Sequence, residues 1–138
     1  MKRKKGFTLV EMMVVVLIVA ILATAAVPIL RGQIDKAKWA EGKAFMGTIA
    51  SSIRSYIALN DPPSFGGWDD DVLLFSVLGL DGNDFNGKHF TKGNFYWNVA
   101  YDRPSGALEY TVEGWNIGTT VTYPTMMVLN QNGEWSEM

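Results

Sequence analysis

Residues 12–27 form an apolar run of sixteen positions in which Thr24 supplies the one hydroxyl and no charge intervenes. Pro28, Ile29 and Leu30 extend it to nineteen residues. As a helix that is about 28 Å at 1.5 Å per residue, close to the roughly 30 Å hydrocarbon core of a bilayer. Such a run belongs in lipid or among other apolar helices. Lys2, Arg3, Lys4 and Lys5 precede it. The positive-inside rule therefore puts the N-terminus in the cytoplasm and the rest of the chain across the membrane.

Two plain readings compete for this segment. One is a secretory signal, with a charged start, an apolar core and Ala23-Thr24-Ala25 as a small-residue cleavage site before Ala26. The other is an uncleaved anchor carrying a passenger domain. Neither gives a use to Glu11, which stands at the head of the apolar run. A carboxylate in hydrocarbon costs on the order of 2.5–3.5 kcal/mol and marks a functional position by default.

The order Lys4-Lys5-Gly6-Phe7-Thr8-Leu9-Val10-Glu11, followed by the apolar run, resembles the prepilin signal of type IV pilins and type II secretion pseudopilins. The resemblance extends from Lys4 to about Leu59. It implies cleavage between Gly6 and Phe7 by a membrane prepilin peptidase, with methylation of the new N-terminal Phe7. It gives Glu11 the place of the family's glutamate at the fifth mature position. The Phe7 amine created by cleavage is largely protonated near neutral pH. In a bundle of helices it can meet the Glu11 carboxylate of a neighbouring subunit, and a paired carboxylate is tolerated where an unpaired one is penalised. Pro28 matches a proline at which pilin helices bend. Ala20 stands where many pilins carry a glycine.

Beyond Pro28 the pattern stays helical. Ile34, Ala37, Ala44, Phe45, Ile49, Ile53, Tyr56 and Ile57 recur at three- and four-residue spacing, and Phe45, Ile49, Ile53 and Ile57 make one i, i+4 stripe. Gly42 and Gly47 invite close approach of a sheet. Asn60-Asp61-Pro62-Pro63 is a strong breaker. The expectation is one helix from about Phe7 to Leu59, kinked at Pro28, its first half transmembrane and its second half on a sheet.

Residues 60–94 read as loop. Within them Asp69-Asp70-Asp71 ahead of 72–78 suggests a short capped helix closed by Gly79. Asp81, Asn83 and Asp84 are candidate calcium ligands, because major pseudopilins bind calcium in distal loops; the plain alternative is a solvated turn. Apart from calcium no cofactor is expected. From 95 to 138 the sequence alternates as strands. Phe95, Trp97, Val99 and Tyr101 form one face, and Leu108, Tyr110 and Val112 another. Residues 119–123 read as a third strand, and 126–129 with 134–136 as a terminal hairpin around Asn130-Gln131-Asn132-Gly133. The fold class is α+β and pilin-like, a long N-terminal helix on a small antiparallel sheet. The organisation is a basic leader 1–6, a transmembrane or filament-core helix 7–30, and a globular head 31–138.

Charge separates along the chain. Arg31, Lys36, Lys38, Lys43 and Arg54 outnumber Asp35 and Glu41 between 31 and 59, a net +3, whereas residues 60–138 carry −8. That acidic head offers no clustered basic face, so direct nucleic-acid binding is not expected. With no cysteine there is no disulfide framework. His89 is the one histidine, and no nucleophile elbow or phosphate loop accompanies it. No enzyme is expected.

The reading is a structural subunit of a type IV pilus-like filament. Its implied partners are a prepilin peptidase, further copies in a homo-oligomeric helical filament, other pilins or pseudopilins, an inner-membrane platform protein and an assembly ATPase. It would be stored in the bacterial inner membrane with its head periplasmic, then enter a periplasmic or extracellular filament. The alternative within the family is the major pseudopilin of a type II secretion system, toward which the short, cysteine-free chain leans. The rival of another class is a membrane-anchored or secreted binding module.

Overall fold

The computed structural model describes residues 6–68 and 75–138. One helix, α1 (Leu9–Asn60), is followed by strands β1 (Phe65–Trp68), β2 (Phe95–Asp102), β3 (Ala107–Trp115), β4 (Met126–Asn130) and β5 (Trp135–Glu137). The strands form one antiparallel meander in the order β1-β2-β3-β4-β5. This is the α+β arrangement expected, a long helix and a small antiparallel sheet. The chain divides into two compact units at Ile34/Asp35.

In the first unit the helix is apolar on every side. Leu9, Met13, Val16, Leu17, Ile21, Leu22, Ile29 and Leu30 are all exposed. It is long and apolar enough to cross a membrane. Continuous exposed apolar surface of this kind requires lipid or other helices to cover it.

In the second unit α1 lies on the sheet. Trp39, Met46, Ile49, Ala50, Ile53 and Ile57 are buried. Trp39, Met46, Ile49, Ala50 and Ile53 pack with Phe90, Phe95, Trp97, Val99, Tyr110, Val112, Met127 and Leu129 from the head, the last seven of these lying on strands. The expected stripe is largely correct at Ile49, Ile53 and Ile57, with Phe45 half-buried beside it. Ile34, Ala37 and Ala44 are exposed instead, and Trp39, Met46 and Ala50 take the core side. Gly42 is pressed against the Trp39 ring, where an added Cβ would stand 3.0 Å from Cε3, whereas Gly47 faces open space.

The helix stops at the expected breaker. Asp61 adopts φ 40°, and its amide donates to the Ile57 carbonyl at 3.0 Å. This is the single-bond left-handed cap. Asn60 Nδ2 adds a bond to the Tyr56 carbonyl.

Strand alternation also matches. Phe95, Trp97, Val99 and Tyr101 are buried, as are Tyr110 and Val112, while Leu108 is half-buried. Two features differ. Phe65–Trp68 is a strand inside the supposed loop, pairing Phe65 with Tyr101. Residues 119–123 are not a strand: the amides of Thr122 and Tyr123 donate to Asp35 on α1 rather than to a neighbouring strand. Most of the expected helix at 69–78 lies outside the described residues. Its described end is a turn that Gly79 closes at φ 71°. The Leu80 amide donates to the Phe75 carbonyl and the Gly79 amide to Ser76, the paired bonds of a Schellman motif.

Candidate functional site

The leader-side residues Lys4 and Lys5 lie outside the described residues, and the site begins at Gly6. Gly6 stands in open space, and Phe7 is 80% exposed. Both flank a peptide bond that a protease could reach. Thr8 is the residue before α1, and the first turn explains Glu11 locally. The Thr8 amide donates to Glu11 Oε2 at 2.8 Å, and the Thr8 hydroxyl reaches the same oxygen at 3.0 Å. In return the Glu11 amide donates to Thr8 Oγ1 at 3.2 Å. This reciprocal pair is a capping box. It satisfies two of the helix's otherwise orphaned N–H groups and sets a carboxylate at the positive end of the helix dipole. The spacing Thr8-x-x-Glu11 ahead of an apolar run carries that signal in the sequence itself. Glu11 thus has a use in any chain whose helix starts here, so the acid alone does not exclude a plain anchor.

Pro28 lies inside α1, which continues through it to Asn60. Proline has no N–H to give the carbonyl four residues earlier, that of Thr24. The Thr24 hydroxyl itself donates to the Ile21 carbonyl at 2.7 Å. Side-chain back-bonding and the missing bond fall on adjacent turns, which is where a helix bends most easily.

In the head, two acids of α1 hold loops that are distant in sequence. Glu41 Oε1 accepts the amides of His89 at 2.8 Å and Phe90 at 2.9 Å, and Oε2 accepts that of Lys88 at 3.2 Å. Burial alone would raise this carboxyl. The amides of His89, Phe90 and Lys88, helped by the His89 ring, outweigh burial and leave it below the usual carboxylate range. Asp35 behaves alike: burial opposes its charge, but the amides of Thr122 and Tyr123 and then Lys38 lower its pKa overall. Lys38 Nζ also donates to the Thr120 carbonyl at 2.7 Å, and His89 Nδ1 shares a hydrogen bond with Thr120 Oγ1 at 3.1 Å. Loops 87–90 and 119–124 are thereby fastened to α1 and to each other.

Among the described residues the His89 ring bonds the Thr120 hydroxyl. A pocket of about 300 Å³ lined by Lys36, Trp39, Lys43, Pro124, Met127 and Glu137 holds no hydroxyl or thiol nucleophile. The calcium candidates Asp81, Asn83 and Asp84 lie together in one short turn. Asp81 Oδ1 accepts the amide of Asn83 at 2.9 Å and its side-chain nitrogen at 3.0 Å, capping a 3₁₀ turn that contains Asp84. Among the described residues no three His, Asp or Glu side chains gather as metal ligands.

Comparison with known proteins agrees with the N-terminal geometry. Residues 1–27 match the family described as the prokaryotic N-terminal methylation motif. Over 95 residues the chain is 32% identical to the fimbrial protein EcpB of Eikenella corrodens, a stretch covering 66% of this chain and 60% of that protein. The match spans less than two thirds of that relative's length. No solved structure matches. The methylation motif and the fimbrial relative bear out the resemblance to type IV pilins read from Gly6, Phe7 and Glu11, and the fold is pilin-like.

Proposed function

We propose that this protein is a structural, non-enzymatic subunit of a type IV pilus-like filament, cut after Gly6 and methylated on Phe7. The observation that carries the reading is a coincidence of position. The methylation motif occupies residues 1–27, and the helix that begins at Leu9 exposes apolar side chains on all sides. A processing signal alone needs no such helix beyond its cleavage site, and a passenger anchor needs no methylation motif.

In this account the apolar half-helix is held in the inner membrane and then packed among copies of itself. The Glu11 carboxylate keeps its capping bonds to Thr8 and meets the Phe7 amine of a neighbouring subunit, which fixes axial register. Pro28 lets the helix bend as it leaves lipid. Extraction replaces lipid contacts by helix packing, so an assembly ATPase acting through a platform protein supplies the work. The test is co-expression with a prepilin peptidase and an assembly machinery, followed by shearing. Filaments containing this chain are expected, and Glu11→Ala should leave a processed, membrane-held subunit with far fewer of them. Normal filament yield from Glu11→Ala would remove the register mechanism. The pseudopilin alternative makes its own demand, namely short filaments that appear only with a secretion apparatus and support export of a folded substrate.

A further inference from the structure

The bond between Gly6 and Phe7 lies just ahead of a long helix, and a helix that ran back through it would close it to a peptidase. A peptide bond wound into a helix has its carbonyl along the axis, accepting the N–H four residues on. For Gly6 that donor would be Val10. Extending a helix already formed is far easier than starting one. Lys4 and Lys5 ahead of the bond are good helix formers. Gly6 opposes extension, but glycine is tolerated inside helices at a modest cost. Even so, Gly6, Phe7 and Thr8 stand outside α1.

The hydrogen bonds at Thr8 explain why. Winding Phe7 into the helix needs the Glu11 amide for the Phe7 carbonyl. That amide donates instead to Thr8 Oγ1 at 3.2 Å. Extension also needs the Thr8 amide to point back along the axis, whereas it donates forward to Glu11 Oε2 at 2.8 Å. The helical ladder begins only at the Thr8 carbonyl, which takes the Met12 amide at 3.2 Å. With its side chain and its main chain, Thr8 thus occupies the groups that a longer helix would use. The outcome is visible one and two residues earlier. Phe7 is 80% exposed, and among the described residues nothing lies within 4 Å of where a Cβ on Gly6 would stand.

We propose that Thr8 is a positioning residue for removal of the leader: by capping α1 it holds the Gly6–Phe7 bond in non-helical backbone, open to attack. This rests on the processing reading of the methylation motif at residues 1–27. Hydrolysis adds water across the bond and leaves a carboxylate on Gly6 and an amine on Phe7. Thr8 exchanges no atoms in that step. It sets the backbone on which the step occurs.

The full chain, in detergent micelles with a purified prepilin peptidase, is followed by mass spectrometry for loss of residues 1–6. Thr8→Val keeps the shape of the side chain and removes the acceptor. Thr8→Asn is a strong N-cap of different shape. Leu9→Pro, added to Thr8→Val, stops the helix without a cap, because proline suits the first helical position and holds the residue before it out of helical backbone. The expected kcat/KM is about fivefold lower for Thr8→Val, the weight of an average N-cap. It should stay near wild type for Thr8→Asn and recover in Thr8→Val/Leu9→Pro. Carbon-13 chemical shifts at Phe7 should move toward helical values in Thr8→Val alone. Cleavage of Thr8→Val at the wild-type rate would overturn the proposal and leave the processing reading intact. Slow cleavage of Thr8→Val that Leu9→Pro does not restore would assign Thr8 to direct recognition by the peptidase, and would overturn it too. A wild-type chain left uncut would remove the processing reading itself.

Discussion

The Glu41 carboxylate accepts three consecutive backbone amides, and the residue that lets it do so is Gly87. A Cβ on Gly87 would stand 2.6 Å from Glu41 Cδ and 3.0 Å from Phe45 Cε2. A carboxylate tip can swing away, but here swinging away gives up its hydrogen bonds to residues 88–90. Glu41→Ala leaves those amides without their acceptor, at a cost of roughly 2 kcal/mol. Gly87→Ala should cost a similar amount by displacing the same carboxylate. Chemical denaturation of the two single variants and the double variant checks this: the double variant should lose clearly less than the sum, because both changes remove one interaction. Full additivity would contradict the shared cause. None of this was legible beforehand, since Glu41 and its partners are 47 to 49 residues apart in sequence. The Thr8–Glu11 box is the opposite case, three residues apart and readable from spacing alone. It also yields a discriminating pair. Thr8→Ala should lose the cap but keep the carboxylate for assembly, so filament yield should fall less than with Glu11→Ala.

Among the elements, α1 is stopped and tied at its C-terminus by one small cluster. Arg103 Nη2 lies 2.6 Å and Nε 3.0 Å from Asp61 Oδ2, and the Tyr101 hydroxyl donates to Asp61 Oδ1 at 3.3 Å. Both charged side chains are more than half exposed, and exposed pairs contribute little. Arg103→Ala should therefore leave the thermal midpoint nearly unchanged, with any loss shrinking as salt is added. Ile53→Ala, by contrast, opens a cavity under a fully buried side chain and should cost about 2–5 kcal/mol. The strands of the head were readable where side chains alternate, as at Phe95, Trp97 and Val99. Phe65–Trp68 escaped because two of its four residues are glycine and carry no alternation. Residues 119–123 misled for a different reason. Val121 does face the core, but the backbone hydrogen bonds at 122 and 123 go to Asp35, a partner 87 and 88 residues away.

For the whole molecule, acid stability follows from two carboxyls held below their ordinary values by loop amides: Asp35 and Glu41. A depressed folded-state pKa means the unfolded chain binds the proton more readily. The stabilisation is fully present above the unfolded-state value, near pH 4, and disappears as pH falls through the lower folded-state values. Thermal unfolding of the chain should thus show little change from pH 7 to 5 and a steep loss below about pH 4. Glu41→Gln should flatten that loss. The central claim, however, concerns Gly6 and Phe7, where the processing signal, the start of the helix and the charge that Glu11 would meet all coincide. Mass spectrometry of the mature N-terminus, on protein made beside a prepilin peptidase, tests it most directly. The account predicts a chain that begins with N-methylated Phe7. A chain beginning at Ala26 or retaining Met1 would contradict it.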